Sequence, residues 1–263
     1  MIGLLVLLAS SASAWGDSLP LTYQILATKD HDRRVFTQGL VLNGKVATET
    51  SGLYGKSFVM QYDADTGAVQ RRISLPREYF AEGITEFNGL FFLLTWKAGL
   101  ALVLDQKLQQ VAAQPYQGEG WGITHNGQHL IMSNGTDTLS IRKATDFSVL
   151  DTLQVKDGER PIHNLNELEY AEELIWANVW QEPVILAIDP VTGAVKGTAD
   201  LSELVRPNNS HPGESVLNGI AYDPDQRAFW VTGKWWPKRY LVKFHWPQTP
   251  APDPISNTTA ASQ

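Results

Sequence analysis

The chain has 263 residues, of which 43% are hydrophobic and 19% are charged, and its formal net charge is −7. No block of Lys and Arg offsets the negative charge, so we exclude nucleic acid and anionic membrane surfaces as expected partners. Cysteine is absent, which excludes disulfides, a thiolate nucleophile and a cysteine-ligated zinc site.

The N-terminal segment has the pattern of an export signal. An apolar run in residues 1–14 ends at Ala12-Ser13-Ala14, the small-residue pattern that precedes signal-peptide cleavage. The segment departs from the usual pattern because no Lys or Arg precedes the apolar run. We therefore expect cleavage near Ala14 and an exported protein, periplasmic or secreted, without a membrane span in the mature chain.

Five similar segments follow one another along the chain at intervals of about 40 to 50 residues. Each contains an apolar strand, a turn and a second strand. The segments are FTQGLVLNGKVATET, FAEGITEFNGLFFLLTWK, GWGITHNGQHLIMSN, LNELEYAEELIWANVW and LNGIAYDPDQRAFWVTGK, aligned on Gly39, Gly83, Gly122, Leu168 and Gly219. Further strand–turn–strand patterns follow some copies, as in MQYDADTGAVQRRISL and ILAIDPVTGAVKGTADL.

Four strands in a period of this length are typical of one propeller blade. The sequence therefore predicts an all-β fold, a five-bladed β-propeller with four-stranded antiparallel blades, as a single domain over residues 15–246. Residues 247–263 are rich in Pro, Ser, Thr and Ala, so we expect a disordered tail there.

Polar and aromatic side chains recur at equivalent positions of the five copies. The residues that precede the five alignment points are Gln38, Glu82, Trp121, Glu167 and Asn218. If the blades are radially equivalent, these side chains form a ring around the central channel. A second predicted ring, at the end of the next strand, consists of Thr50, Ser51, Trp96, Lys97, Ser133, Asn134, Asn178, Trp180, Thr232 and Lys234. Space-filling alone would favour small or apolar residues here, so the rings indicate a functional site.

Other catalytic classes have weaker support. A glycosidase needs two carboxyls across a cleft, but we interpret Glu119 and Glu169 as solvated charges. His125 and His129 flank a turn, which favours a surface hairpin over a zinc site. No Gly-x-Ser-x-Gly elbow is present, and the Asp-containing segments at Asp63 and Asp189 are typical of turns rather than calcium loops.

The tryptophans divide into two groups. Trp176, Trp230 and Trp246 lie within apolar alternation, which predicts core positions. Trp96, Trp121 and Trp180 adjoin polar residues at the predicted rim, so we expect them to face a ligand, and Trp235 shows the same pattern less clearly.

The motifs together resemble those of the glutamine cyclotransferase family, the plant and bacterial type of glutaminyl-peptide cyclotransferase. They are Phe36-Thr37-Gln38-Gly39-Leu40, Tyr54-Gly55-Lys56-Ser57, Phe80-Ala81-Glu82-Gly83-Ile84-Thr85, Thr95-Trp96, Gly120-Trp121-Gly122-Ile123, Asn166-Glu167-Leu168-Glu169, Asn178-Val179-Trp180-Gln181, Leu217-Asn218-Gly219-Ile220-Ala221-Tyr222 and Thr232-Gly233-Lys234. Each motif alone is weak, but their number and order are specific.

The resemblance implies an enzyme that converts the N-terminal glutamine of peptides or proteins to pyroglutamate and releases ammonia. On the matching positions it implies Glu82 as the catalytic acid and base. It implies substrate-binding roles for Phe36, Gln38, Phe80, Trp96, Trp121, Asn166, Trp180 and Lys234. It also implies that no metal or other cofactor is required for catalysis, although a structural calcium is possible because some plant relatives hold one. We expect a monomer.

This reaction requires proton transfer and stabilisation of negative charge, which residues of these types can provide. The attacking amine must lose a proton and the departing amide nitrogen must gain one, which a single carboxyl can do if its pKa lies near the working pH. Apolar walls around Glu82 would raise its pKa in this way. Negative charge develops on the amide oxygen, and Lys234, Gln38 or Asn166 could each stabilise it.

Two other classes stay open on the sequence. One is a calcium-dependent lactonase of the six-bladed propeller kind, in which Glu82, Asn166 and Asn218 would bind the metal, although only about five repeats are visible. The other is a non-catalytic propeller that binds peptide N-termini, in which the indoles and Gln38 would matter but Glu82 would not.

Overall fold

The structure is a computed structural model, and it describes residues 16–248. The signal peptide predicted over 1–14 lies outside the described residues, as does all of the predicted tail beyond residue 248. Within the described part, no helix is both long and apolar enough to cross a membrane.

The described chain is almost entirely β-structure. After β1 (Leu19–Asp30), three sheets form in chain order, each with four antiparallel strands. The first sheet consists of β2 (Thr37–Asn43), β3 (Val46–Ser51), β4 (Phe58–Asp63) and β5 (Val69–Ser74); the second of β6 (Ala81–Phe87), β7 (Leu90–Thr95), β8 (Leu100–Leu104) and β9 (Gln110–Pro115); the third of β10 (Ile123–His125), β11 (Leu130–Met132), β12 (Thr138–Arg142) and β13 (Val149–Gln154). These sheets confirm the predicted all-β class and the four-stranded antiparallel units.

The remaining strands form a two-stranded ribbon and one larger sheet. A two-stranded ribbon, β14 (Lys156–Asp157) and β15 (Arg160–Pro161), precedes β16 (Leu165–Ala171), β17 (Leu174–Val179), β18 (Val184–Ile188) and β19 (Val195–Asp200); helix α1 (Ser202–Asn208) then leads to β20 (Leu217–Asp223), β21 (Ala228–Gly233) and β22 (Lys238–His245). The order in this eight-stranded sheet is β16-β17-β18-β19-β1-β22-β21-β20. In place of five four-stranded sheets, the described chain therefore has three four-stranded sheets, the two-stranded ribbon and this eight-stranded sheet.

Strand β1 makes the connection within the large sheet. Its start, Leu19 to Leu21, pairs in parallel with Gly197 to Ala199 of β19. The rest of β1, from Thr22 to Asp30, pairs antiparallel with β22. The N-terminal strand thus completes a sheet whose other strands come from the C-terminal end of the chain.

The first strands of successive sheets lie against one another. Contacts join β2 to β6, β6 to β10, β10 to β16, β16 to β20 and β20 back to β2, so that these five strands form a closed circuit. The glycines of the repeats permit this close approach. A Cβ at Gly83 would lie 2.7 Å from the carbonyl oxygen of Trp121, and one at Gly39 would lie 2.5 Å from the backbone nitrogen of Ile84.

Burial follows the position of a strand within its sheet. Strand β18 and most of β7 are buried because they lie between neighbouring sheets, whereas β5 is exposed along its whole length and β9 and β13 nearly so. Trp176 and Trp230 are buried as predicted. The core assignment of Trp246 is wrong: this residue follows the end of β22, and 40% of its surface is exposed.

Candidate functional site

A cavity of about 400 Å³, here called the indole pocket, opens where the starts of the first strands meet the ends of the second strands. Every residue that the resemblance assigns to the site lines it: Phe36, Gln38, Phe80, Glu82, Trp96, Trp121, Asn166, Trp180 and Lys234. The lining also includes Leu53, Gly213, Glu214 and Trp235. The structure therefore brings the predicted residues together, whereas their individual roles stay predictions.

Two ionisable side chains, Glu82 and Lys234, are buried in this pocket. Burial raises the pKa of Glu82 well above its usual range, with a further increase from the charge of Glu119; Lys234 and a hydrogen bond from Gln38 oppose the shift. Burial lowers the pKa of Lys234 to about 8, against the attraction of Glu82. The pocket thus combines a carboxyl whose pKa is raised by burial with an ammonium group whose pKa is lowered to about 8.

Two neighbouring hydroxyl groups hold the backbone at the pocket residues Glu82 and Asn166. Thr50 Oγ1 donates to the carbonyl oxygen of Glu82 at 2.6 Å, and Ser133 Oγ donates to that of Asn166 at 2.6 Å. Both hydroxyls belong to the second predicted ring, and each holds the start of the next sheet's first strand. The Asn166 side-chain oxygen is buried without a hydrogen-bond partner among the described residues.

The first predicted ring is only partly present in the pocket. Gln38, Glu82 and Trp121 line it, but Glu167 and Asn218 do not. The Glu167 carboxylate instead accepts hydrogen bonds from the backbone N–H groups of Leu40 (3.3 Å) and Ile220 (2.7 Å). Asn218 donates to the carbonyl oxygen of Thr37 at 3.0 Å and to Gln38 Oε1 at 3.3 Å. In the fourth copy, the residue that lines the pocket is Asn166, one position earlier than the alignment predicts.

Glu119 binds the indoles of Trp96 and Trp121, which form one wall of the pocket, here called the indole wall. Its Oε2 accepts hydrogen bonds from Trp96 Nε1 at 2.7 Å and from Trp121 Nε1 at 3.0 Å, and its Oε1 lies 3.5 Å from Lys97 Nζ. Partial burial opposes ionisation, but the two indole hydrogen bonds and Lys97 outweigh it and lower the pKa of Glu119. Glu119 is therefore a partly exposed loop carboxylate, as the sequence predicted, but it also binds two pocket indoles, a role that the sequence did not indicate.

Aromatic rings enclose the rest of the pocket. Trp121 and Trp180 pack edge to face with 5.8 Å between their ring centroids, and Phe80 contacts Trp96 at 5.5 Å. Trp235, which the sequence favoured only weakly, packs on Phe36 at 4.7 Å. Such walls exclude water from a small ligand and leave its polar groups to the buried side chains.

The other candidate groups lie elsewhere. Glu169 is half-buried and accepts a hydrogen bond from the Tyr222 N–H at 2.8 Å; burial raises its pKa to about 8, so it is not the solvated charge we expected. His125 lies at the end of β10 in a hairpin turn, as predicted, and accepts from the Gly127 N–H. Among residues 16–248, no group of three or more His, Asp or Glu side chains could hold a metal ion.

The fold and the site define a propeller-like β-protein with a buried acid–base pocket. The family model described as glutamine cyclotransferase matches residues 2–244, and the chain belongs to this family. Glutaminyl-peptide cyclotransferase of Arabidopsis thaliana is 38% identical to it, over 87% of this chain and 74% of the relative. The crystal structure of Myxococcus xanthus glutaminyl cyclase, at 31% identity, matches with a TM-score of 0.82 over 88% of this chain and 100% of that chain.

Proposed function

We propose that the protein is a glutaminyl-peptide cyclotransferase, which converts the N-terminal glutamine of peptides or proteins to pyroglutamate and releases ammonia. The observation that carries this proposal is the buried Glu82, next to Lys234, in an indole-walled pocket of a chain that belongs to the glutamine cyclotransferase family. The pocket volume of about 400 Å³ suits a single residue side chain with its amino group rather than a long peptide segment.

In the proposed mechanism, the free α-amine of the substrate attacks the δ-carbon of its own side-chain amide. The nucleophile is already attached to the electrophile, so much of the entropy cost of bringing them together is avoided. A carbon–nitrogen bond forms, and the proton that the amine loses passes to the Glu82 carboxylate. When the intermediate collapses, the bond to the original amide nitrogen breaks, and the Glu82 carboxyl returns the proton, so that ammonia leaves.

We assign the stabilisation of the amide oxygen to Lys234. Negative charge develops on this oxygen as the amine attacks, and a buried ammonium group stabilises it strongly because little water screens the interaction. The Gln38 side chain is already hydrogen-bonded to Glu82 and Asn218, whereas the Lys234 ammonium group forms neither an ion pair nor a hydrogen bond within the described residues. The unpartnered oxygen of Asn166 is then available to accept from the substrate α-amine.

We further infer that the fold is a five-bladed propeller. The eight-stranded sheet would then be two blades, β16–β19 and β20–β22 with β1, joined only by the short parallel pairing at Leu19 to Leu21. The closed circuit of the five first strands supports this inference. Export of the enzyme and its independence of metal also remain proposals, the first on residues 1–14 and the second on the acid–base chemistry alone.

The proposal is tested by measuring ammonia release from Gln-Ala-amide, with and without chelator. Turnover should be retained in the chelator, and N-acetylated peptide, which lacks the nucleophile, should release none. Glu82→Gln should lower kcat by about two to four decades while the protein stays folded. Glu86→Gln is the matched control and should leave kcat unchanged. Glu86 lies on the same strand, but it accepts a hydrogen bond from Asn43 outside the pocket.

Three results separate the rival classes. Ammonia release that needs added calcium or zinc would favour the metal-dependent class. Peptide binding without any ammonia release would favour the binding protein. Near-parental turnover of folded Glu82→Gln would remove this carboxyl from the mechanism.

A further inference from the structure

A second cavity lies beside the indole pocket and shares two residues with it. This cavity, of about 500 Å³, has Leu53 and Trp235 in its lining, as the indole pocket does. Its charged lining residues are Arg34, Lys56 and Arg72, and none of the described residues that line it is acidic. We call it the basic cleft.

The ridge between the two cavities is held in an unusual conformation. Leu53 has a φ of 90° and Trp235 has a φ of 60°. Residues other than glycine rarely adopt a positive φ. The Leu53 carbonyl accepts hydrogen bonds from the Lys56 N–H at 3.0 Å and from Ser57 Oγ at 2.9 Å. Backbone conformations of this kind concentrate at ligand sites, where the surrounding structure maintains them.

The cleft carries positive charge on a protein whose net charge is −7. Arg34 is paired with Asp32, but Lys56 and Arg72 form no ion pair with a carboxylate within residues 16–248. The Arg72 guanidinium lies 3.7 Å from the centroid of the Phe58 ring, which orients it without neutralising it. Elsewhere on the rim of the indole pocket, Glu214 is acidic. An anionic group at the rim is therefore attracted towards the basic cleft and repelled at Glu214.

We propose that the basic cleft binds the part of the peptide that follows the N-terminal glutamine and favours a carboxylate there. This inference rests on the proposed function. The glutamine side chain enters a pocket that ends at buried groups, so the rest of the peptide leaves across the rim, and the Leu53–Trp235 ridge leads to the cleft. The carboxylate is either the C-terminus of a short peptide or an Asp or Glu side chain of a longer one.

The test compares kcat/KM within matched pairs of peptides at low ionic strength. Gln-Ala-Ala with a free C-terminus is compared with its amide, and Gln-Ala-Glu-amide with Gln-Ala-Gln-amide, so that the two sources of carboxylate are separated. We expect the anionic member of at least one pair to be favoured about three- to tenfold. High salt should reduce this ratio, because screening weakens exposed charge interactions.

Two variants and one control locate the effect. Lys56→Gln and Arg72→Met should each bring the ratio of anionic to neutral kcat/KM towards one. Arg71→Met removes the same charge from the adjacent position of β5, where the Arg71 side chain donates to the Lys107 carbonyl instead of lining the cleft, so the ratio should persist. If Arg72→Met does not fold, the exposed Lys56→Gln decides the question.

Equal kcat/KM values within both pairs of peptides would overturn the proposal, as would an equal loss of the ratio in Arg71→Met. If no peptide releases ammonia, the proposed function fails first. The cleft can then be tested alone by measuring peptide binding through tryptophan fluorescence. Tighter binding of the anionic peptides that is lost in Lys56→Gln would support the proposed cleft, and equal binding of anionic and neutral peptides would exclude it.

Discussion

Glu82 and Lys234 share one pocket, and burial shifts their pKa values towards each other. In water, a carboxyl is almost always ionised at pH 7 and an ammonium group almost always protonated. Burial disfavours the charged form of each, so the carboxyl becomes a usable acid and the ammonium becomes sensitive to mild alkali. Because the aromatic walls bury both groups, they cause both pKa shifts. Residues that transfer no proton therefore still influence the chemistry.

The alkaline limb of the pH profile should belong to Lys234. Its ammonium group has a pKa of about 8 and loses its proton as the pH rises, so stabilisation of the amide oxygen is lost above this value. The substrate amine must be neutral and has an ordinary pKa of about 8, so kcat/KM should rise towards this pH and fall beyond it. Lys234→Arg keeps its charge and should remove the alkaline limb, even if kcat falls. An unchanged limb in Lys234→Arg would assign it to another group.

Loss of Glu119 should loosen the indole wall. Glu119→Ala removes the acceptor of two indole hydrogen bonds, so we expect KM to rise about tenfold with a smaller effect on kcat. It also removes a negative charge that raises the pKa of Glu82, so any pH limb due to Glu82 should move to lower pH. Lys97→Met, which leaves both indole bonds in place, is the control. Unaltered KM and pH profile in Glu119→Ala would show that the indoles are held by packing alone.

At the scale of strands and sheets, the repeated glycines govern how closely the first strands approach. Gly83→Ala would place a Cβ 2.7 Å from the Trp121 carbonyl oxygen, a backbone atom that cannot move alone. We expect a loss of about 2–4 kcal/mol in the free energy of unfolding, measured by denaturant titration. Gly44→Asn is the control, because Gly44 lies in a left-handed turn with open space around it and Asn tolerates that conformation. Equal stability of the two variants would contradict this account.

The strands were predictable from the sequence because apolar alternation and turn residues recur in each copy. The directions of the side chains next to the alignment points were harder to predict. Register shifts interrupt the strand pairing there, as between Leu165 and Leu168, so the simple alternation of side chains does not hold at these positions. In that copy Leu168 replaces glycine, and Glu167 turns to backbone N–H groups instead of the pocket. The role of Glu119 was missed because one of its two indole partners, Trp96, lies 23 positions away in the chain.

At the scale of the whole molecule, a buried ion pair connects the first and last sheets. His31 follows β1, and its Nε2 lies 3.0 Å from Glu49 Oε1 of β3, while its Nδ1 lies 2.7 Å from the Trp236 carbonyl oxygen. Burial opposes protonation of His31, but Glu49 outweighs it and raises the histidine pKa. Burial likewise opposes ionisation of Glu49, but His31 and Thr37 lower its pKa.

His31→Gln should destabilise the whole molecule, because it leaves the Glu49 charge buried without its partner, at a cost of about 3–5 kcal/mol. The raised pKa of His31 contributes stability below its unfolded value of 6.5, and this is lost as the pH rises through the folded value. The lowered pKa of Glu49 contributes above its unfolded value of 4.5. The stability difference between wild type and variant should therefore be largest between pH 4.5 and 6.5, and it should shrink as the pH rises through the raised pKa of His31 in the folded protein. The exposed His163→Gln is the control, and a difference independent of pH would exclude the ion pair as its cause.

The pairing of β1 with β22 also bears on how the chain reaches its native state. Thr22 pairs with His245, so one sheet cannot form until almost the whole described chain is available. Contacts between such distant residues slow folding, because a long loop must close before they form. During synthesis from the N-terminus, the part of β1 from Thr22 to Asp30 stays unpaired until β22 is made, and its open edge is a site for association with other chains. We therefore expect the circular arrangement to close only after translation is nearly complete, in one late and cooperative step.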